Sequence, residues 1–293
     1  MISTIAFSLI ACGLVLLAGR KDPARDPRLT FFFLILMTLL PGMSLFLPKL
    51  EILPSTTSSQ TSYSWGTWLI GVWALGFLSS LVKLTLSSIS INRWRKLSPK
   101  IGQIGEVNVY EVEGLRGPVA AGTFRQMIFV PKNWKTWKQE AQKIAIDHEL
   151  SHHRRRDPLW RLCAEITRAI HWYNPLVHWM VNRFALQCEY ACDEALIRKG
   201  TDAKSYATLL CELAEKQASS PLTLAMATPS SLRQRVRRIL EPNSRTGTLA
   251  FALLATLGAT AACTLSMLGS ESAPVSQQEV KLRLSANPFP SEN

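Results

Sequence analysis

The sequence is short of charged residues and of paired cysteines, and each shortage excludes a class of protein. Charged residues make up 18% of the chain, below the roughly 25% of ordinary soluble domains. The 47% of hydrophobic residues excludes intrinsic disorder, because disordered chains lack residues that can form a core. The six cysteines are scattered and form no C-x-x-C pair, which indicates reduced thiols rather than a disulfide-rich secreted scaffold.

Acidic residues are scarce as well. The chain has 21 Asp and Glu against 33 Lys and Arg, a formal net charge of +12, and its mean hydropathy is +0.09. Chains that are both apolar and basic commonly place apolar spans in lipid and basic residues in loops beside the membrane. The composition therefore favours an integral membrane protein.

Four apolar runs have the length of about 20 residues that a bilayer crossing requires. They cover about 2–19, 29–47, 65–86 and 247–269. A buried core helix is the alternative for a single run, but four long, nearly uncharged runs favour membrane helices. A cleaved signal peptide is a second alternative for the first run; such a peptide begins with positive charge, and nothing basic precedes Arg20.

Loop charges predict one orientation for all four spans. Basic residues concentrate in the segments 20–28, 92–96 and 233–245. Residues 49–64 are mostly Ser, Thr and Gln. Because Lys and Arg collect on the cytoplasmic side, we predict that 89–246 is cytoplasmic and that the N-terminus and the tail 270–293 are external.

The basic character of residues 89–246 has two explanations. Nucleic-acid binding is one, but the basic clusters lie at the membrane junctions and at Arg154-Arg155-Arg156, without a DNA-binding motif. Contact with anionic lipid head groups is the favoured explanation. We therefore expect membrane lipids as partners and no direct contact with nucleic acid.

A predicted helix at 139–156 carries the residues with catalytic potential. It contains His148-Glu149-Leu150-Ser151-His152. Four residues are just over one turn, so both imidazoles project from one face and can bind one Zn²⁺. Glu149 points about 100° away, where it can act as the catalytic base toward an activated water. The alternative is a solvated helix face that carries two histidines by chance.

Two acidic residues on a later helix complete the predicted site. Asp157-Pro158 and Asn174-Pro175 predict helix starts, and Gly200 predicts the end of the second helix. That helix carries Glu189 and Asp193 on one face. A catalytic zinc site with two histidines needs a third protein ligand, and each ligating histidine needs an acceptor for its other nitrogen. We predict Glu189 as the ligand and Asp193 as the acceptor; a solvated acidic face is the alternative.

The remaining polar residues have plainer interpretations. His153 is expected to face solvent or lipid, His178 to line the cleft, and Cys188 and Cys192 to pack between helices. A peptide substrate is expected to lie beside an edge strand at 127–130. Five residues are candidates for stabilising the oxyanion: His171, Tyr173, His178, Tyr190 and Tyr206.

Taken together, these motifs resemble the BlaR/MecR family of integral-membrane zinc metallopeptidases, the antibiotic-sensing signal transducers. The resemblance covers the leading spans and the motifs at 117–122, 127–131, 148–157, 171–177, 189–195, 205–210 and 232–240. It implies that His148, His152 and Glu189 bind zinc, that Glu149 is the catalytic base and that Asp193 supports a ligand.

The resemblance also implies a fold and a function. The expected fold is a mainly α membrane protein with four transmembrane helices and an α+β cytoplasmic zinc-metallopeptidase domain of the gluzincin type inserted before the fourth. The expected divisions are 1–88, 89–246, 247–269 and 270–293. The expected function is a zinc metalloendopeptidase of the bacterial inner membrane that cleaves a cytoplasmic repressor of the BlaI/MecI type, with homodimerisation left open.

This sequence departs from the antibiotic sensors in two respects. Gln126 stands where the family usually has proline. The sensors carry an external penicillin-binding domain after the last span, whereas the tail 270–293 has no S-x-x-K motif, so direct acylation by a β-lactam is not expected. The sensors also cut themselves before that span, and the corresponding stretch of this chain contains Arg237–Arg238.

Two alternative functions remain open. One is an HtpX-like quality-control protease, and the other is a non-proteolytic receptor or scaffold.

Overall fold

A computed structural model describes residues 2–19, 27–46, 63–218, 229–241 and 257–261. Over these residues the fold is mainly helical with one small sheet. Three helices come first: α1 (Ile2–Gly19), α2 (Pro27–Phe46) and α3 (Tyr63–Leu97). The strands follow as β1 (Lys100–Ile104), β2 (Val107–Val112), β3 (Val119–Ala121) and β4 (Met127–Pro131), with a short 3-10 helix at Lys132–Thr136. Five helices complete the order: α4 (Gln139–Arg155), α5 (Asp157–Ile170), α6 (Pro175–Arg198), α7 (Ala203–Ala218) and α8 (Pro229–Leu240).

Helix α3 is the one described helix that is long and apolar enough to cross a membrane. The qualifying stretch is Trp68–Leu97, with a mean hydropathy of 1.8 and none of its most apolar window buried. Shorter apolar helices occur at Ala6–Val15 and Pro27–Leu39, within the predicted first and second spans. The predicted fourth span lies largely outside the described residues, and the tail 270–293 lies entirely outside them.

The helix boundaries predicted between 139 and 200 agree with the structure. Helices α4, α5 and α6 follow one another with short turns, because the chain offers start and stop signals between them. Pro158 and Pro175 occupy the first turns of α5 and α6, and the Asn174 side chain accepts a hydrogen bond from the Leu176 N–H. Gly200 ends the series with φ +92°, a backbone conformation that favours glycine.

The strands pair in the order β1-β2-β4-β3, with β2 parallel to β4 and β3 antiparallel to β4. The prediction that 127–130 forms an edge strand is therefore wrong. Every residue of β4 is buried, and a continuous apolar run is typical of a strand covered on both faces rather than of an edge. The edge strand beside α4 is β3.

Helices α1 and α2 pack directly on α5 and α6. A shared apolar core joins Phe7 of α1 and Phe33 of α2 to Met180 of α6, all fully buried. At the far end of α3, the ring of Trp94 contacts the ring of Phe129 on β4 edge to face. The sheet and the α4–α6 helices are thus built onto the three leading helices.

Candidate metal centre

Helices α4 and α6 bring His148, His152 and Glu189 together. His148 Nε2 lies 3.4 Å from one Glu189 carboxylate oxygen, and His152 Nε2 lies 3.6 Å from the other. Each residue offers one potential ligand atom, and these atoms all lie within 4.8 Å of one another. The α-helical spacing of the histidines puts both rings on the face of α4 that is packed against α6, where both are buried.

The geometry of these three side chains suits a tetrahedral zinc ion. Bonds of 2.0–2.1 Å to a tetrahedral Zn²⁺ place neighbouring ligand atoms about 3.3 Å apart, close to both distances between the histidines and Glu189. In addition, both histidines direct Nε2 toward Glu189 while Nδ1 is engaged elsewhere, which is the arrangement of metal-binding histidines. The donor set therefore fits the ion that the sequence motifs imply.

The Nδ1 atom of His148 is held by Tyr206 and Asp193. It lies 2.9 Å from the Tyr206 hydroxyl, which donates a 2.5 Å hydrogen bond to Asp193 Oδ1, and 3.5 Å from that same carboxylate oxygen. Asp193 thus lies behind His148, with the Tyr206 hydroxyl of α7 as the nearer partner of Nδ1. The sequence indicates Tyr206 only as an oxyanion candidate, since nothing in the local sequence relates α7 to α4.

His152 has a different partner, which sequence reasoning missed. Its Nδ1 lies 2.9 Å from Asp157 Oδ2, in a pair that is almost fully buried. Arg155 donates a 3.3 Å hydrogen bond to the same oxygen. The local pattern of Asp157-Pro158 predicts only a helix start. The signal that could have identified Asp157 is its position five residues after His152. Arg156 between them has φ +58°, and the resulting turn brings the Asp157 side chain back to His152.

Glu149 lies beside the metal candidates and is fixed by the sheet. The Ala120 N–H of edge strand β3 donates a 2.6 Å hydrogen bond to Glu149 Oε2. Burial raises the pKa of Glu149, an effect that the nearby His148 and His152 oppose. A carboxylate with a raised pKa can hold and release a proton closer to neutral pH, as a general base must.

Two arginines contact Glu189 from other helices. Arg161 of α5 donates a 2.5 Å hydrogen bond to Oε1, and Arg235 of α8 lies 3.2 Å from Oε2. Arg235 also donates two hydrogen bonds, of 2.9 Å and 2.7 Å, to Asp193. Burial alone would raise the pKa of Glu189, but Arg235 and His152 hold it well below its ordinary value. Sequence reasoning missed both arginines, because each acts across a long sequence separation.

The interpretation of His153 is wrong, and that of Cys192 is incomplete. His153 faces neither solvent nor lipid: it is buried, and its Nε2 lies 2.9 Å from the Met127 carbonyl oxygen. Cys192 does pack between helices, but its thiol also lies 3.3 Å from His152 Nδ1. Burial raises the pKa of this thiol, which is consistent with a neutral packing group.

Most of the oxyanion candidates lie away from this centre. The Tyr190 hydroxyl donates to Gln234, and His178 Nε2 lies 2.8 Å from the Trp172 carbonyl oxygen, near the start of α6. His178 therefore does not line the cleft beside Glu189. Among the described contacts of the five candidates, only those of Tyr206 reach a predicted ligand, on the Nδ1 side of His148.

Two histidines one helical turn apart and a glutamate from a distant helix form the donor set of a metallopeptidase, and the half-buried Glu149 beside them is placed as its catalytic base. The family model described as BlaR1 peptidase M56 matches residues 52–239. Since this match covers well over half of the chain, the protein belongs to that family. The resemblance inferred from the motifs is confirmed.

One relative matches the catalytic part of the chain. The regulatory protein BlaR1 of Bacillus licheniformis is 28% identical over 129 residues. The alignment covers 43% of this chain and 22% of that relative. The two proteins are therefore similar over less than a quarter of the length of BlaR1.

Proposed function

We propose that this protein is an integral-membrane zinc endopeptidase that acts in signal transduction. The observation that carries the proposal is the convergence of His148 Nε2, His152 Nε2 and the Glu189 carboxylate, with the half-buried Glu149 next to them. Membership of the M56 family supports peptidase chemistry. The match to a regulatory protein supports a role in regulation.

In this mechanism His148, His152 and Glu189 bind the metal, and the chain supplies the proton transfers. A bound Zn²⁺ would polarise the scissile carbonyl and lower the pKa of water to about 7. Glu149 takes a proton from the attacking water and delivers it to the leaving amine. The hydrogen bond from the Ala120 N–H holds the Glu149 carboxylate in place between those two steps.

Strand β3 is the proposed binding edge for the substrate backbone. In an antiparallel pair, backbone groups point alternately toward the partner strand and away from it. The Ala120 N–H points to Glu149, so the outer edge of β3 runs past the catalytic base. A peptide added to this edge would have its backbone alongside Glu149, and this edge takes the role that the sequence had assigned to β4.

The proposed topology keeps the predicted four spans, with the N-terminus and the tail 270–293 external and the segment 89–246 on the cytoplasmic side of the bacterial inner membrane. The proposed substrate is a cytoplasmic repressor of the BlaI/MecI type or another regulator.

Self-cleavage at Arg237–Arg238 would require α8 to unwind. Both residues lie within that helix, and proteases bind their substrates in extended form.

The Glu149→Gln variant tests this function. Loss of a general base costs about 10²–10⁴-fold in rate, so we expect proteolysis of an unfolded protein substrate to fall by about 10³-fold while zinc remains bound. Glu140→Gln is the matched control, since Glu140 is an exposed residue of the same helix, and it should retain full activity.

The outcome also separates the rival functions. A receptor or scaffold that does not cleave would keep its output in Glu149→Gln cells, and this result would contradict the proposal. A quality-control protease would lose activity in the same variant. However, trapping with Glu149→Gln followed by mass spectrometry would then capture many misfolded proteins, rather than one regulator.

A further inference from the structure

Helices α5 and α6 and the turn 171–174 between them form a hairpin, called here the α5–α6 hairpin, whose tip is held by α3. The Trp73 indole N–H donates a 3.0 Å hydrogen bond to the Ile170 carbonyl, and the Trp172 indole N–H donates a 3.2 Å bond to the Trp73 carbonyl. The Trp172 ring occupies the space beside Gly76 that a Cβ atom would fill. The tip is therefore fitted against the apolar part of α3.

The same tip is bonded to α2 and α1. His171 Nε2 lies 3.2 Å from the Met37 carbonyl oxygen, and the Asn174 amide donates a 3.0 Å hydrogen bond to the Ser8 hydroxyl. His171 and Asn174 are both almost fully buried. Polar groups at the end of the hairpin are thus satisfied by three apolar helices rather than by water.

The positions of these contacts give the depth of the tip. At 1.5 Å per residue, Met37 lies about 14 Å along α2 from Arg28, and Trp73 lies about 15 Å along α3 from Lys83. The hydrocarbon core of a bilayer is about 30 Å thick. If Arg28 and Lys83 mark its cytoplasmic boundary, two separate helices place the tip near the middle of the membrane.

We propose that the α5–α6 hairpin enters the lipid bilayer from the cytoplasmic side and reaches its midplane. The proposal rests on the membrane placement of α1–α3 in the proposed function, and it refines the cytoplasmic assignment of 89–246. In hydrocarbon every polar group needs a partner within the protein. The charged Arg168 meets this requirement at its two terminal nitrogens, with Glu165 at 3.2 Å and the Asn182 side chain at 2.7 Å, whereas its Nε has no partner among the described residues.

The outer surface of the hairpin suits lipid. Ile166 and Trp179 are 38% and 37% exposed, and Trp160, about 15 Å from the tip along α5, is 38% exposed. Tryptophan is enriched at membrane interfaces, which begin at about that distance from the midplane. Arg154 and Arg156 are exposed at the base of the hairpin, at the level where anionic head groups attract basic residues.

The depth of the hairpin tip also determines where the metal centre lies relative to the membrane. Glu189 lies about 22 Å along α6 from Asn174, which places it roughly 7 Å beyond the hydrocarbon boundary, among the lipid head groups of the inner face. The centre would therefore cleave polypeptide segments that lie at the membrane surface. A segment that remains far from the bilayer would not reach it.

Lipid-borne and aqueous quenchers of a fluorescent thiol label test the proposal. The full-length protein is reconstituted in phosphatidylcholine–phosphatidylglycerol vesicles after replacement of Cys163, Cys211 and Cys263 by serine. The buried Cys12, Cys188 and Cys192 are kept. Three variants, each with one introduced cysteine, are then labelled: Trp179→Cys on α6, Leu75→Cys on α3, where Leu75 is 70% exposed, and the exposed Lys199→Cys. Ile166→Cys on α5 is a second probe of the hairpin, in case Trp179→Cys does not fold.

We expect the labels at 179 and 75 to be quenched at least about threefold more by doxyl lipids than by aqueous iodide, because ions do not enter hydrocarbon. The label at 199 should show the reverse. Lipid quenching at 75 without lipid quenching at 179 and 166 would overturn the inserted hairpin and leave the membrane placement of α3 intact. Absence of lipid quenching at 75 as well would overturn the membrane placement itself.

Discussion

The first half of α6 contacts uncharged groups of α1 and α2, whereas its second half carries two acidic side chains that pair with arginines. Near the start of α6, Met180 lies in the apolar core shared with Phe7 and Phe33. Near its end, Glu189 and Asp193 are both bonded to Arg235. One continuous helix thus joins an apolar environment to a charged site, so the distance of the site from the apolar region is set by helix geometry.

The difference also shows how each half is stabilised. Apolar packing of the first half tolerates small changes of side chain at modest cost. Buried charges in the second half are stable only as a complete set, because removing one partner leaves another charge buried without compensation. Substitutions at the charged end should therefore have the larger effects.

Arg235→Ala should give the largest loss of stability. It removes both hydrogen bonds to Asp193, whose side chain is 3% exposed, and we expect a cost of about 3 kcal/mol. Thermal unfolding of the protein in detergent measures this loss. Arg237→Ala is the control: Arg237 pairs with Glu241 on the same helix but its side chain is 79% exposed, so about 0.5 kcal/mol or less is expected. Equal losses would contradict the comparison.

Asp157→Asn should weaken zinc binding with a smaller effect on folding. The change removes the charge that orients His152 through Nδ1, and loss of such a partner costs about 10–100-fold in metal affinity. Competition with a calibrated chelator measures the affinity. Asp202→Asn is the control, because Asp202 accepts from the Ser205 N–H at the start of α7, and asparagine serves equally well in that position. Unchanged affinity in Asp157→Asn would remove Asp157 from the site.

Gly76→Ala tests the apolar end and should cost no more stability than Arg235→Ala. The added methyl group would overlap the Trp172 ring, and overpacking of this kind costs about 1–3 kcal/mol. Gly71→Ala on the same helix has no neighbour within 4 Å of the added atom and should be neutral or slightly stabilising. Thermal unfolding compares the two variants. If both behave alike, the close fit of the tip against α3 is not supported.

The parts of this fold that were predictable from sequence are those encoded by local signals. Pro158, Pro175 and Gly200 mark the ends of helices, and helical spacing alone places His148 and His152 on one face. The convergence of Glu189 on that face followed from the coordination requirements of a metal, which link two helices that local patterns cannot relate.

What could not be predicted depends on contacts between distant elements. The apolar pattern of 127–130 suits a strand, but which strand lies at the edge depends on pairing order, and periodicity carries no such information. From the sequence, Arg235 is one of several basic residues on α8. Its contacts with Glu189 and Asp193 arise only because α8 packs against α6. His153 was misplaced because its neighbour across the fold, the Met127 carbonyl, belongs to the sheet.

The central claim is that His148, His152 and Glu189 form one zinc site, and metal analysis of the purified protein tests it most directly. We expect about one Zn²⁺ per chain in the wild type and less than about a tenth of that in His148→Ala and Glu189→Ala, since each removes one of three protein ligands. His178→Ala, a histidine of α6 outside the centre, should keep its zinc. Wild-type protein without stoichiometric zinc, or full zinc content in Glu189→Ala, would contradict the account.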